Sequence, residues 1–407
     1  MPAFAGDNKG WALQANLSDD FNYSFIPDTV KTSFGFDSLT TKWNNHFINN
    51  WNGPGPTIWR PDHVRVKDGN LEIWVDRVAG EVKDITGGVE PPFPVTRTGC
   101  VSSKEAITYP VFIETKLRVL NSTLASAVWM LSVDSRQEID IIEAYGGLGS
   151  DGRNAFFAER IHLSHHVFIR EPFSDYQPRD WNSWYTRNNV NQWGNVWVRV
   201  GVYWASSTRL EYYIDGELVR ILDDTAIASK LPNGTWKYMY PAGFDANTGL
   251  LKFAANGFQD MKIANSLEEA KSLSNISVID AYDFLGNGKQ LDNELHIIVS
   301  IEDQEWLALA GRSPTDEELL NTENNTKKID WIRVYKPVDL VCQIEVADST
   351  GNQIINSLRA SNYIKSNGFI ETGSNIIYKA GNYLEFYDSF DVKLGAAFEA
   401  RIDGCSN

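Results

Sequence analysis

Apolar and polar positions alternate along much of the chain. The clearest runs are residues 70–77 (NLEIWVDR), 111–119 (VFIETKLRV), 196–204 (VWVRVGVYW), 210–220 (LEYYIDGELVR), 294–303 (ELHIIVSIED) and 328–338 (KIDWIRVYKPV). A period of two puts every second side chain on one face, the mark of antiparallel strands with one buried side. Within the fourth run, Asp215-Gly216 separates two alternating halves and predicts a tight hairpin turn. Two short stretches read as helix, 265–273 (NSLEEAKSL) and 314–322 (PTDEELLNT), each opening on a capping residue followed by acids. The pattern predicts an all-β sandwich.

At 407 residues the chain suits one large β domain with a small appendage. After Lys336-Pro337-Val338 the texture turns to Ser, Asn and Gly until Tyr378, which places a boundary near residue 338. Residues 1–338 form the larger domain. Residues 339–407 form a small C-terminal β module punctuated by Gly381, Phe390, Gly395 and Phe398. Residues 221–293 make a connection far longer than a hairpin needs, and loops of that size are functional or carry their own structure. Its stretch 235–249 (TWKYMYPAGFDANTG) offers aromatics to wall one end of a cleft; an inert surface excursion is the alternative.

The chemistry concentrates in residues 126–147, where Glu138, Asp140 and Glu143 interrupt an apolar strand. Glu138 and Asp140 share a face, but Glu143 has the opposite parity and would be driven into the core. A β-bulge at Ile141-Ile142 restores its parity and brings all three acids to one face, with the glutamate Cα atoms roughly 13 Å apart. Two carboxylates, one ionised and one protonated, are what glycoside hydrolysis requires, and a third between them tunes both. A solvated edge strand or a calcium site are the alternatives.

A net charge of -16, from 37 Lys and Arg against 53 Asp and Glu, repels nucleic acid and anionic membranes while leaving a neutral polysaccharide indifferent. The 14 Trp, 16 Tyr and 20 Phe suit both sheet cores and stacking on sugars. Three cysteines are too few for a disulfide scaffold; Cys342 and Cys405 bracket the last segment as candidates to pair. No run approaches a membrane span, and the N-terminus lacks the apolar stretch of a signal peptide, so secretion is expected from the substrate alone. In HLSHH (162–166), His162 and His166 share a face and His165 points away, which argues against zinc.

The run EIDIIE, with Trp129 before it and AYGG after, resembles the bulged catalytic signature of glycoside hydrolase family 16, and within that family the β-agarases. The resemblance extends through residues 17–22 (LSDDFN), 53–71 (GPGPTIWRPDHVRVKDGNL), 162–180, 213–220, 302–306 (EDQEW), 311–319 and 329–338. It implies a β-jelly-roll sandwich with an open concave cleft. It implies Glu138 as nucleophile, Asp140 as assisting acid and Glu143 as acid/base, in retaining hydrolysis of the β-1,4 links of agarose.

Trp59, Trp129 and Trp306 become candidate sugar platforms, with core packing the alternative for Trp59 and Trp306. Arg60, His63, His166 and Glu302 become candidate substrate contacts, and structural roles stay open for Arg60, His63 and Glu302. No catalytic cofactor is expected; the resemblance implies a structural calcium, for which Asp20 and Asp330 are the nominees. The expected protein is a secreted or cell-surface monomer whose partner is an agar-type galactan.

Porphyranases, which cut a sulfated galactan, tend to place an Arg beside the cleft Trp, where this chain reads Met130-Leu131. Arg60, Arg136, Arg160 and Arg170 remain positions from which a sulfate is within reach. A porphyranase, another sulfated-galactan hydrolase, or a non-catalytic galactan-binding protein are the competing readings.

Overall fold

A computed structural model describes residues 9–36, 40–188, 190–339, 343–348, 357–370, 372 and 374–402. Cys342 and Cys405 lie outside the described residues. The chain divides into two units, Ala15–Val334 and a second made of Met1–Gln14 with Tyr335–Asn407.

The larger unit is an all-β jelly roll built on two large sheets. The sheet that carries the cleft runs Phe173–Tyr176, Ile161–Arg170, Gln137–Ala144, Ala125–Ser132, Leu295–Glu302, Cys100–Ile107, Thr41–Asn44, Ser33–Gly35. The other includes Asn70–Trp74, Thr326–Asp339, Val111–Arg118, Trp197–Ser206, Arg209–Ile214 and Glu217–Asp223, all of which the alternation marked as strand. Between the sheets lies one apolar core, in which Ile113, Leu117, Val128, Met130, Ile139, Ile141, Ile142, Val200, Val202 and Ile297 are all buried.

Local chemistry explains the connections. Asp215 and Gly216 both take positive φ, 50° and 84°, as a two-residue hairpin demands, and they join Arg209–Ile214 to Glu217–Asp223. The two expected helices form as single short segments, Leu267–Ser272 capped by Ser266 and Asp316–Leu319 with a full Thr315/Glu318 capping box. The long connection is not a loop: Ala226–Lys230, Trp236–Pro241 and Met261–Ala264 add three strands to the edge of the second sheet.

In the smaller unit, Lys9–Leu13 runs antiparallel along Tyr335–Asp339. The remaining strands pair in parallel, Ser357 beside Ile377 and Ile377 beside Glu399, and Tyr363 beside Tyr383. Parallel neighbours one short chain segment apart are successive coils of a solenoid, each burying its apolar side against the next. Ile364, Ile370, Ile376, Tyr378 and Ala380 form its core.

Candidate active site

The three acids lie on the central strand Gln137–Ala144. Glu138 sits opposite Leu131 and His166, Asp140 opposite Trp129 and Ser164, and Glu143 opposite Ala127 and His162. From Asp140 to Glu143 this strand advances three residues while each neighbour advances two. The extra residue is the expected bulge: Ile141 and Ile142 are both fully buried in the core, and the three acids open into one cleft. That cleft has a volume of about 1100 Å³.

His166 stands over the first two acids. Its Nδ1 lies 2.8 Å from Asp175 Oδ1 and its Nε2 3.5 Å from Asp140 Oδ2. Burial disfavours its cation, but the charge and hydrogen bond of Asp175, then the charges of Asp140 and Glu138, raise its pKa to about 10. His166 is therefore an imidazolium. Glu138, Asp140 and His166 bring ligand atoms within 4.8 Å of one another, with both ring nitrogens of His166 turned toward carboxylates, Asp175 and Asp140.

Burial, with the charge of Glu143 adding to it and His166 opposing, pushes Glu138 up to about 8. Asp140 is driven well above the usual carboxylate range by burial and then by Glu138. Burial acts on Glu143 in the same sense, but the hydrogen bond and charge of His162, with help from His166 and Gln304, pull it down to about 2. His162 Nδ1 lies 2.9 Å from Glu143 Oε2, and its ring stacks on Trp184 at 4.3 Å. The free cleft thus keeps a proton on the Glu138–Asp140 side and an anion at Glu143.

Trp129 and Glu302 belong to one chain of hydrogen bonds across the floor. Trp129 Nε1 donates to Ser300 Oγ (3.0 Å), Ser300 donates to Glu302 Oε1 (2.8 Å), and Gln304 Nε2 donates to Glu302 Oε2 (3.1 Å) and Glu143 Oε1 (3.0 Å). Burial pushes Glu302 up to about 7, eased by Ser300 and Gln304. Trp306 stands at the rim, 39% exposed. Trp129, His166, Glu302 and Trp306 all line the cleft.

Other nominated residues go elsewhere. Trp59 is buried beneath the floor, its Nε1 donating to the Ile301 carbonyl and its ring against Phe47, the residue that reaches the cleft in its place. Arg60 is bound bidentate to Asp62. His63 is buried between Asp62 and Asp76 and stacks on Trp74. These three do not line the cleft; their side chains turn to neighbours within the scaffold.

Asp20 pairs with Arg333 (3.0 Å) and Asp330 with Lys116 (2.6 Å), and neither joins a group of three ligands among the described residues. Each calcium nominee therefore has a cationic partner in this structure. In LSDDFN the organising acid is Asp19, whose carboxylate accepts from Phe21 N, Tyr23 OH and Trp43 Nε1. From the long connection, Gly257 and Phe258 reach the cleft, whereas residues 235–249 do not. Of the four arginines marked for sulfate, only Arg170 lines the cleft, joined by Arg179.

The residues missed were His162, Tyr145, Asp175 and Gln304. His162 shares parity with His166, and Gln304 shares it with Glu302, so period two held the signal for both.

The model of the β-porphyranase A–D type GH16 domain matches residues 11–248. β-Agarase D of Zobellia galactanivorans is 51% identical over 352 residues, which cover 83% of this chain and 73% of the relative. The crystal structure of that protein's catalytic domain superimposes with a TM-score of 0.80 at 50% identity, covering 83% of this chain and 98% of the other. An inactivated mutant of β-agarase B in complex with agaro-octaose matches at 35% identity with a TM-score of 0.60, over 83% and 98%. With the acid strand, its bulge and the jelly roll all in place, the chain belongs to glycoside hydrolase family 16.

Proposed function

We propose that this enzyme hydrolyses the β-1,4 links of agarose with retention, through a covalent glycosyl-enzyme. The observation that carries the reading is the bulge, which turns Glu143 onto the face of Glu138 inside a long open cleft. The 51% identity to a β-agarase, and an agaro-octaose complex of a second relative, support agarose as substrate.

Glu138 attacks the anomeric carbon while Glu143 gives its proton to the departing glycosidic oxygen; Glu143 then takes a proton from water, which attacks the same carbon and frees Glu138. Asp140, between them, holds a proton that leaves Glu138 free to ionise. His166 contributes a positive charge beside the nucleophile.

These roles require the proton on Glu143, whereas the free cleft favours it on Glu138 and Asp140. A sugar hydroxyl or glycosidic oxygen entering the cleft competes for the hydrogen bonds of His162 and Gln304 that keep Glu143 anionic, and one proton moved among coupled carboxylates gives the reactive form. The ionisation order also favours a second reading in which the two glutamates exchange roles. Azide added to Glu143→Ala gives the β-glycosyl azide under the first reading and the α-azide under the second.

Leu131 beside Trp129 on the cleft face suits an unsulfated chain, and Arg170 and Arg179 are the groups through which a sulfate would be held. Incubation with agarose, porphyran and κ-carrageenan separates these substrates: new reducing ends on agarose, and few on the others, are expected. A polymer of this size is met outside the cell, where the relative named as an extracellular agarase also acts.

A further inference from the structure

Gln304 occupies an unusual place. It is the N-cap of the helix Glu305–Leu309, but its side chain makes no capping bond. Good caps are short Ser, Thr, Asp or Asn side chains that reach the helix's free N–H groups. Gln304 turns into the cleft instead and spends both ends of its amide there.

Its orientation is determined by chemistry. Trp306 Nε1–H lies 2.7 Å from Gln304 Oε1, and an indole nitrogen only donates. The atom it meets must be the amide oxygen, which also accepts from Tyr145 OH at 2.7 Å. The amide nitrogen is then forced to the other side, where its two hydrogens serve Glu143 Oε1 at 3.0 Å and Glu302 Oε2 at 3.1 Å. Reversing the amide would set an N–H group against the indole donor and an oxygen against two carboxylates.

The turn beneath it is held firmly. Thr57 Oγ1 bonds both the backbone N–H and the carbonyl of Asp303. The buried Asp303 side chain accepts from Thr96 (2.8 Å) and Ser313 (2.8 Å). Gly55, at φ 48°, lies so close that an added Cβ would stand 2.5 Å from Glu305 N and 2.6 Å from Asp303 O. The GPGPTIW stretch therefore acts on the site through this turn.

We propose that Gln304 is the positioning residue of the acid/base: locked by Trp306, its amide fixes the Glu143 carboxylate and sets where that group releases its proton. The inference rests on the acid/base role of Glu143. Hydrogen bonds to a carboxylate favour its charged form. Gln304 thereby helps the second half of the reaction, in which Glu143 must be a base. Other groups facing Glu143 are His162 and His166 from the strand Ile161–Arg170, Glu138, Asp140 and Tyr145 from its own strand region, and Glu302 from Leu295–Glu302.

The test is the pH profile of kcat on a soluble agaro-oligosaccharide, which reports the substrate-bound enzyme; there Glu143 carries the proton and the alkaline limb marks its loss. Gln304→Met keeps the length and removes the donor, so the pKa of Glu143 rises and the limb moves to higher pH by about one unit, the size of one hydrogen bond to a charged group. Gln304→Glu puts a second anion there and moves it further. Trp306→Phe keeps a ring but frees the amide, giving a smaller shift in the same direction and a measurement that survives should Gln304→Met misfold. A lower kcat with the limb unmoved in both Gln304→Met and Trp306→Phe would overturn the proposal. Glu143→Gln separates the two levels: turnover retained there removes the acid/base reading itself, whereas turnover lost there with a stationary limb in the Gln304 variants removes this inference alone.

Discussion

Two tryptophan-bearing stretches meet the same sheet and do different work. In Trp59–His63 each polar group has found a partner within the scaffold: the indole takes a backbone carbonyl, Arg60 takes Asp62, and His63 takes Asp62 and Asp76. In Glu302–Trp306 the polar groups find their partners among the acids of the cleft. Both stretches match the same family and both carry a Trp beside charged residues. What separates them is where the partners lie: those of the first stretch belong to the scaffold, whereas those of the second include the acids of the cleft, so only the second can act on its chemistry.

Substitutions can break this contrast. The largest effect is expected on the cleft side: Glu138→Gln lowers kcat on agarose on the order of 10⁴-fold or more while agaro-oligosaccharide binding stays measurable by calorimetry. On the scaffold side, Trp59→Ala removes a buried ring and costs about 3 kcal/mol of stability in a denaturant titration, with KM little changed in the protein that remains folded. A raised KM at constant stability would put Trp59 in contact with the sugar and erase the distinction.

A smaller effect concerns charge. In the free cleft Glu143 is ionised first and Glu138 gains its negative charge only as the pH rises toward about 8, so with the proton thus reversed it is Glu138 that sets the alkaline limb of kcat/KM. Asp175→Asn removes the anion that keeps His166 protonated. With the cation gone, Glu138 is harder to ionise, and the limb moves up by about one pH unit. A downward shift would mean that His166 does not act on the nucleophile by its charge.

The smallest effects are expected at the surface acids. Asp20→Asn and Asp330→Asn each break an exposed ion pair, worth about 0.5 kcal/mol, and change activity little. A chelator should leave the melting temperature where it was; a large drop would show that an ion is held by residues other than these two.

Much of the fold was legible because alternation marks strands directly, and the bulge was legible because a carboxylate cannot lie in an apolar core without a partner. Glu138, Asp140 and His166 could be placed by parity, and Glu143 by parity once the bulge is supplied. Trp59 and His63 could not, because their partners Ile301 and Asp76 come from elsewhere in the chain; Arg60 is held by Asp62 within the short helical turn Pro61–His63, where a period of two carries no information. Gln304 escaped notice because its neighbours Glu302 and Trp306 drew attention to their own chemistry, while an amide reads as neutral until its orientation is known. The solenoid is hard to see for a different reason: parallel coils recur at a spacing near twenty residues, and Gly381 and Gly395 read as isolated turns although each lies between two strands of the solenoid.

The most direct test of the central claim uses an agaro-oligosaccharide carrying 2-fluoro substitution and a good leaving group at the reducing-end galactose. It traps the glycosyl-enzyme for proteolysis and mass spectrometry. The expected result is a single labelled peptide from Gln137–Ala144 with the sugar esterified to Glu138. A label on Glu143, or hydrolysis with inversion and no label at all, would contradict it.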